Sequence, residues 1–372
     1  MRSRDKLALV MDMLGACFPR RRGGDPARIL VVRLDGFGDF SLYLPFALAL
    51  RELYPRGCCH LALLGNSMWC DAARTLLPFD DFISLEVGRY MTELTYRSDV
   101  NRTLSRGGYG TVLQPRFFRE PFLEDRLALA AGAASGTAFT VGKTHLQRRW
   151  GSFLELRLYD RLVGGASSEH EARKNRAFFD ALGVYREVPR PELPPPPSPW
   201  RKGEYLVLLP GSGKGRRACW QEERWGMALE DCGLKCAVVG SKAESALVNA
   251  ASRAVGEKAV PLAGTLNIME FCGLLAHAAC VVGNDTGGIH FAAWCGVPAL
   301  AVAGGGHPGW YYPYPDGTMP LYVRKPHYVT ADSPCGGCSW RCTKSMKGVF
   351  PCIADVAVET VKHALTEMLS AL

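Results

Sequence analysis

The feature that most limits what this chain can become is the stretch CVVGNDTGGIHFAAWCGVP, from Cys280 to Pro298. A short apolar run (Cys280, Val281, Val282) ends at Gly283 in a polar turn. A small-residue helical pattern from Ile289 to Trp294 follows, and Gly296 and Pro298 stop it. The pattern predicts a buried strand, a turn and a helix. Asp285 and Thr286 fall where the new helix has unpaired N–H groups, and Gly287 and Gly288 let a ligand approach the backbone. The partial positive charge of a helix N-terminus suits a phosphate, and His290 lies one turn in, on the side that can face the same ligand. An Asp/Thr cap with glycines for tight packing is the plainer alternative. Convergence of polar groups at a strand's C-terminal end, where α/β sheets bind ligands, favours the site.

The same pattern recurs through the 372 residues. Ala27–Leu34 (ARILVVRL) is a continuous apolar run, the mark of a parallel strand covered on both faces. It enters the turn Asp35-Gly36-Phe37-Gly38-Asp39, and FSLYLPFALALRELYP then reads as a helix ending near Pro55. A dinucleotide fingerprint is excluded, because Ser41 holds the third glycine's place and no acidic residue closes a second strand at the usual distance. Asp39, at the start of the helix, is stabilised as a carboxylate and can accept a proton; a simple cap is the alternative. Further βα units follow at 59–65 with 67–76, at 81–87, and at 111–115 with 122–133, before an amphipathic helix at 169–184. Arg116, Arg119 and Arg126, near the 111–115 strand, read as ordinary surface arginines rather than an anion site. PRPELPPPPSPW (189–200) is a stiff linker.

After the linker the pattern restarts. Residues 204–225 give a strand, a glycine-rich basic loop and a helix start; Lys214 there lacks the phosphate-cradle spacing and the Ser/Thr of a P-loop. Strands at 234–240, 259–264 and 298–304 alternate with helices at 242–255 and 267–278. The expected fold is α/β: two doubly wound, Rossmann-like domains facing across a cleft. The expected boundaries are a basic segment (1–26), a first Rossmann-like domain (27–188), the linker (189–200), a second Rossmann-like domain (201–350) and a closing helix (351–372).

Composition narrows the class. Apolar content of 48% and charged content of 22% are those of a soluble globular protein, and no run reaches the roughly twenty apolar residues of a membrane span. The N-terminus imitates a signal peptide, but Asp12 interrupts its apolar core and arginines follow it, so it reads as retained in a cytoplasmic protein. Of the net charge of +8, residues 1–33 carry eight Lys/Arg against three Asp/Glu. Leu7, Val10, Met11 and Leu14 fall at helical spacing there, which suits peripheral contact with the anionic inner membrane face; a solvated leader is the alternative. No nucleic-acid motif accompanies the charge. Most of the fourteen cysteines (Cys17, Cys70, Cys232, Cys272, Cys280, Cys295 among them) are scattered singly, as in a reduced core. Cys335, Cys338, Cys342 and Cys352 are clustered as C-x₂-C-x₃-C-x₉-C, but the second pair lacks the tight knuckle of a tetrahedral zinc site. No metal is expected.

Laid side by side, RILVVRLDGFGDFSLYLPFALALRELYP, LLPGSGKGRRACWQEERW and VVGNDTGGIHFAAWCGVPALAVAGGGHPGWYYPY resemble glycosyltransferase family 9, the heptosyltransferases of lipopolysaccharide assembly. With the Cys-rich segment the likeness covers most of residues 27–365. It implies the GT-B fold, with residues 27–188 binding the acceptor, residues 201–350 binding the nucleotide sugar and the closing helix crossing back to the first domain, and an inverting, metal-independent and cofactor-free transfer. The implied donor is a nucleoside-diphosphate sugar, ADP-heptose by the family's habit, and the acceptor is a lipid-linked or other glycan. The resemblance makes Asp39 the general base and gives the donor diphosphate to Asp285, Thr286, Gly287, Gly288 and His290. Glu244 takes the ribose, and Thr265 and Leu266 lie near the base. Where relatives carry a pyrophosphate lysine this chain has Ala218, and Gln221 replaces the following proline; Lys214, Arg216 and Arg217 are nearby substitutes. A sugar-nucleotide-binding protein that has lost transfer, or a sugar-nucleotide epimerase, are the competing readings. Retention of Asp39 and His290 argues against the first, and a chain with eight histidines lacks the richer cleft the second needs.

Overall fold

The computed structural model describes residues 23–139, 158–165, 168–184, 187–332, 336–344 and 348–370. The amphipathic pattern at Leu7–Leu14, Cys17 and Cys335 lie outside them. Two parallel six-stranded sheets form. The first has β1 (Asp25–Arg33), β2 (His60–Asn66), β3 (Asp81–Leu85), β4 (Tyr109–Gln114), β5 (Ser135–Phe139) and β6 (Arg161–Val163), in the order β3-β2-β1-β4-β5-β6. The second has β7 (Tyr205–Leu209), β8 (Lys235–Gly240), β9 (Ala259–Ala263), β10 (Cys280–Asn284), β11 (Ala299–Val302) and β12 (His327–Val329), in the order β12-β11-β10-β7-β8-β9. The strand order therefore reverses between β1 and β4 and between β7 and β10, the topological switch points of doubly wound sheets.

The helices used below are α1 (Phe37–Leu48), α2 (Arg126–Ala131), α3 (Glu171–Leu182), α4 (Glu222–Ala228), α5 (Ser245–Val255), α6 (Ile268–Ala276), α7 (Gly287–Trp294) and α8 (Val358–Ser370). The expected helix to Pro55 stops at Leu48, with Pro45 inside it, and a separate turn covers Leu50–Leu53. The strands β5, β6 and β12 carry no run that the sequence reading could use: SGTAF is small and polar, and the other two have three residues each.

The chain divides into two compact units. The second takes residues 37–42 and 170–172 in addition to those from Arg190 onward, and the first takes the rest. In the first unit Leu30 and Val32 of β1, with no exposed surface, pack with Leu64, Val112 and Leu127. Ion pairs hold the loops above β4 and β5. Arg119 Nε lies 2.6 Å from Asp125 Oδ1, Arg119 also donates to the Phe139 carbonyl, and the Tyr159 hydroxyl donates to Asp125 Oδ1 at 2.7 Å. Arg116 pairs with buried Glu124. Arg116 and Arg119 are thus engaged within the fold, and Arg119 is fully buried. Arg33, also fully buried, meets Asp35 at 2.8 Å and Asn175 Oδ1 at 3.0 Å, with its guanidinium over the Tyr43 ring.

In the second unit the core runs from Leu206, Leu208 and Val282 on the sheet to Trp220 and Trp225, whose rings meet edge to face at 4.7 Å. The closing helix α8, expected to return to the first domain, buries Val361, Leu365 and Met368 in this core. Trp220 Nε1 donates to Val356 O at 3.1 Å just ahead of it. Large apolar side chains of this kind account for most of what stabilises such a layer.

The buried pair in the first unit gives a stability prediction. Asp125→Ala leaves Arg119 charged, buried and without its carboxylate, and should lower the unfolding free energy by about 3–5 kcal/mol. Urea denaturation measures it; a loss below about 1 kcal/mol would show that the pair does not hold this region.

Candidate functional site

The second sheet's switch point is built by one asparagine. Asn284, at the end of β10, is fully buried. Its Oδ1 accepts the Trp220 N–H at 2.9 Å and its Nδ2 donates to Pro210 O at 2.6 Å, tying the loop after β7 to the turn after β10. Gly283 is required beside it, since a Cβ there would come 2.7 Å from Leu209 Cβ. The Asp285 N–H then donates to Val302 O at 3.0 Å, and Thr286, in extended geometry (φ −148°, ψ 159°), caps α7 without a side-chain hydrogen bond. The Ile289 N–H donates back to Thr286 O at 3.1 Å, so in the first turn of α7 it is the Gly287 and Gly288 N–H groups that lack an intrahelical acceptor, at the C-terminal end of the sheet.

His290, one turn into α7, is 3% exposed. Its Nδ1 is 2.8 Å from the Tyr314 hydroxyl and its Nε2 is 3.7 Å from Asp285 Oδ1. Burial, then the Asp285 charge, holds the Tyr314 phenol well above its ordinary range, so it stays protonated beside the imidazole. Tyr312 stacks on the imidazole at 5.2 Å.

The two glycines of this turn have protein neighbours. A Cβ on Gly287 would lie 2.6 Å from the Gly38 nitrogen, and one on Gly38 would lie 3.2 Å from Gly287 Cα and from His290 Cδ2. A Cβ on Gly288 would meet Leu209 Cδ1 at 2.5 Å. The Asp35–Asp39 turn thus brings Gly38 against the start of α7 with no side chain between. Asp39 follows directly, and the Tyr311 hydroxyl donates to its Oδ1 at 3.1 Å. Burial, then Asp39 and Glu171, pushes the Tyr311 phenol far up, so it stays protonated and can donate to the Asp39 carboxyl. Tyr311 is itself held by His170. The Ala172 N–H donates to His170 Nδ1 at 3.1 Å, so Nε2 carries the proton and donates to Tyr311 O at 2.8 Å.

The remaining residues of the sequence reading lie around the same end of the sheet. Glu244 forms the capping box of the turn after β8, accepting the Ser241 N–H at 2.8 Å and its hydroxyl at 2.7 Å, and its other oxygen presses on the Cα of Gly211. Thr265 and Leu266 occupy the loop between β9 and α6, whose Asn267 caps the helix. In the basic loop Lys214 is exposed and forms no ion pair among the described residues. Arg216 pairs with Glu222, and Arg217 lies over the Phe350 ring and donates to Gly348 O at 3.3 Å. Ala218 is 2% exposed in the core, so its side chain turns away from the loop's open face. The sequence reading assigned no role to His170, Tyr311, Tyr312 or Tyr314; the aromatic run after β11 was its only trace.

Comparison with known proteins fits this arrangement. Residues 166–335 match glycosyltransferase family 9 (heptosyltransferase). No curated protein matches the chain. Among solved structures, a glycosyl transferase family 9 protein from Veillonella parvula aligns with a TM-score of 0.72 at 17% identity, over 94% of this chain and 98% of that one. E. coli heptosyltransferase WaaC, solved with ADP-2-deoxy-2-fluoro heptose, aligns at 0.64 and 17% identity, over 91% and 99%. E. coli ADP-heptose lps heptosyltransferase II aligns at 0.65 and 17% identity, over 92% and 99%. The two sheets with interleaved helices are therefore the GT-B fold of these structures, and the stretch that matches glycosyltransferase family 9, residues 166–335, takes in most of the second sheet and the candidate site.

Proposed function

We propose that the protein is an inverting glycosyltransferase that moves a sugar, heptose in this reading, from a nucleoside diphosphate to a lipopolysaccharide-type or other surface-glycan acceptor. One observation carries the reading. Two tyrosines of a single loop join the two turns: Tyr311 donates to Asp39, and Tyr314 shares a hydrogen bond with His290. A proton acceptor and the N-terminal end of α7 thereby share one compact unit. ADP or an ADP-heptose analogue bound to structural relatives supports an ADP-linked donor.

In this mechanism Asp39 takes the proton from an acceptor hydroxyl, whose oxygen attacks the anomeric carbon. The bond from that carbon to the diphosphate oxygen breaks on the opposite face, and the configuration inverts. Charge grows on the leaving diphosphate, where the N–H groups of α7 and His290 stabilise it. Lys214, which forms no ion pair among the described residues, supplies the positive charge that Ala218 lacks. Glu244, Thr265 and Leu266 border the nucleoside. Such a site runs without a metal, and the basic segment before Ala27 would bring the enzyme to a membrane-linked acceptor.

Asp39→Asn keeps the shape and removes the base. Transfer should fall at least about 10²-fold while ADP affinity stays within about twofold by calorimetric titration; retention of most activity would sink the assignment. Lys214→Ala should lower turnover about tenfold and Arg217→Ala much less, because Arg217 is held against Phe350 and Gly348. Equal losses, or a silent Lys214→Ala, would remove Lys214 from the leaving-group site. Gly287→Ala must push Gly38 and α7 apart, so it should cut turnover at least tenfold with the melting temperature lowered by only a few degrees. Unchanged kinetics in that variant would show that the apposition of the two glycines does not set the geometry.

A further inference from the structure

A cavity of about 390 Å³ opens at the C-terminal ends of β11 and β12, beside the turn that carries Asp285. It lies at the small end of ligand pockets, which run roughly 300–1,000 Å³. One wall comes from the loop after β11, with His307, Tyr311 and Tyr312. Tyr328, whose ring stacks on that of Tyr312 at 5.6 Å, and Trp340 of the Cys-rich segment complete the lining. That segment is pinned in place: the Gly337 N–H donates to Gly305 O at 2.8 Å and the Ser339 N–H to Gly306 O at 2.9 Å. Ser339 and Trp340 both take left-handed backbone (φ 49° and 62°), a cost of about 1–3 kcal/mol for each non-glycine residue. The Trp340 ring rests on the bare Cα atoms of Gly304 and Gly306 and reaches Phe350 at 5.4 Å, which holds it there.

The lining decides the ligand. Among the described residues that line it there is no lysine or arginine, and its one carboxyl side chain is that of Asp285, a poor setting for a phosphate. The Tyr312 hydroxyl on the wall is buried without a hydrogen-bond partner in good geometry, and it faces Asp285. Aromatic faces, one carboxylate, a buried phenol and backbone of four glycines suit a neutral, polyhydroxylated ring. Its C–H face packs on the aromatic side chains and its hydroxyls donate to the carboxylate. We propose that this cavity is a sugar subsite and that the Cys-rich segment, through Trp340, forms its specificity wall. The sugar is either the donor's transferred group or the acceptor's terminal ring. The inference builds on the transferase reading, but its first test does not involve transfer.

Saturation-transfer NMR with free heptose and free hexoses should show contact with the wild-type protein. The signal should fall at least about fivefold in Trp340→Ala and in Tyr328→Ala, the second sparing the core because Tyr328 is 40% exposed. Calorimetric titration with ADP and with ADP-heptose then identifies the source. A donor sugar predicts unchanged ADP affinity and about tenfold weaker ADP-heptose binding in both variants. An acceptor ring predicts both affinities unchanged and about a tenfold higher KM for core-truncated lipopolysaccharide. Absence of the free-sugar signal in the wild type, its persistence in both variants, or an equal loss of ADP and ADP-heptose affinity would overturn the subsite. An Asp39→Asn enzyme that still transfers, with the free-sugar signal intact, would instead refute the transferase mechanism and leave the cavity standing.

Discussion

Two glycines set against each other are the constraint on which the candidate site depends. Gly38 and Gly287 meet backbone to backbone, at distances a single methyl group on either would close. Because nothing intervenes, Asp39, one residue on, comes within reach of Tyr311, and the start of α7 stays beside it. The glycines act here by having no side chain, at ordinary backbone angles. Neither is among the glycines with positive φ.

The polar groups around that contact keep distinct protonation states because their surroundings differ. Tyr311, Tyr312 and Tyr314 are buried among carboxylates, and each of these effects disfavours the phenolate. All three remain neutral, able to donate to an acid or an imidazole and unable to compete with Asp39 for a proton. His170 extends the same logic one step back. Its two ring nitrogens are both engaged by backbone groups, so its tautomer is fixed and the Tyr311 carbonyl with it. Asn284 does comparable work beneath the sheet's end, where one fully buried amide joins two loops that are 74 residues apart in sequence.

The loop after β7 shows how local packing redistributes a role. Its 3₁₀ turn, Arg216–Ala218, sends the Ala218 side chain into the core beside Trp220. A lysine there would have to leave that core to reach a ligand. Arg216 and Arg217 are drawn to Glu222 and to Phe350, which leaves Lys214 as the loop's exposed cation without an ion pair among the described residues. The Cys-rich segment is a similar case. Its described thiols, Cys338, Cys342 and Cys352, are half-buried, and its most consequential side chain is Trp340, seated on two glycines of a distant loop.

Local pattern in the chain is enough to specify its strands and its turns. Continuous apolar runs such as Ile29–Val32 and Cys280–Val282 specify parallel strands buried on both faces, and the alternation with helices specifies two doubly wound sheets. The DTG turn and the GD turn were legible for the same reason: each is a strand end, a glycine and a helix start within ten residues. Short strands such as β6 and β12 were not, because three residues carry no periodicity and only their neighbours in the sheet define them. Tertiary structure alone decided that Gly287 faces Gly38 rather than open space and that Arg119 is a buried ion-pair partner rather than a surface charge. It also decided that a WYYPY run supplies hydrogen bonds to both Asp39 and His290. Each of these is a contact between segments far apart in the chain. Burial and partner, which set the chemistry of a polar side chain, are properties of the fold and not of its neighbours in sequence.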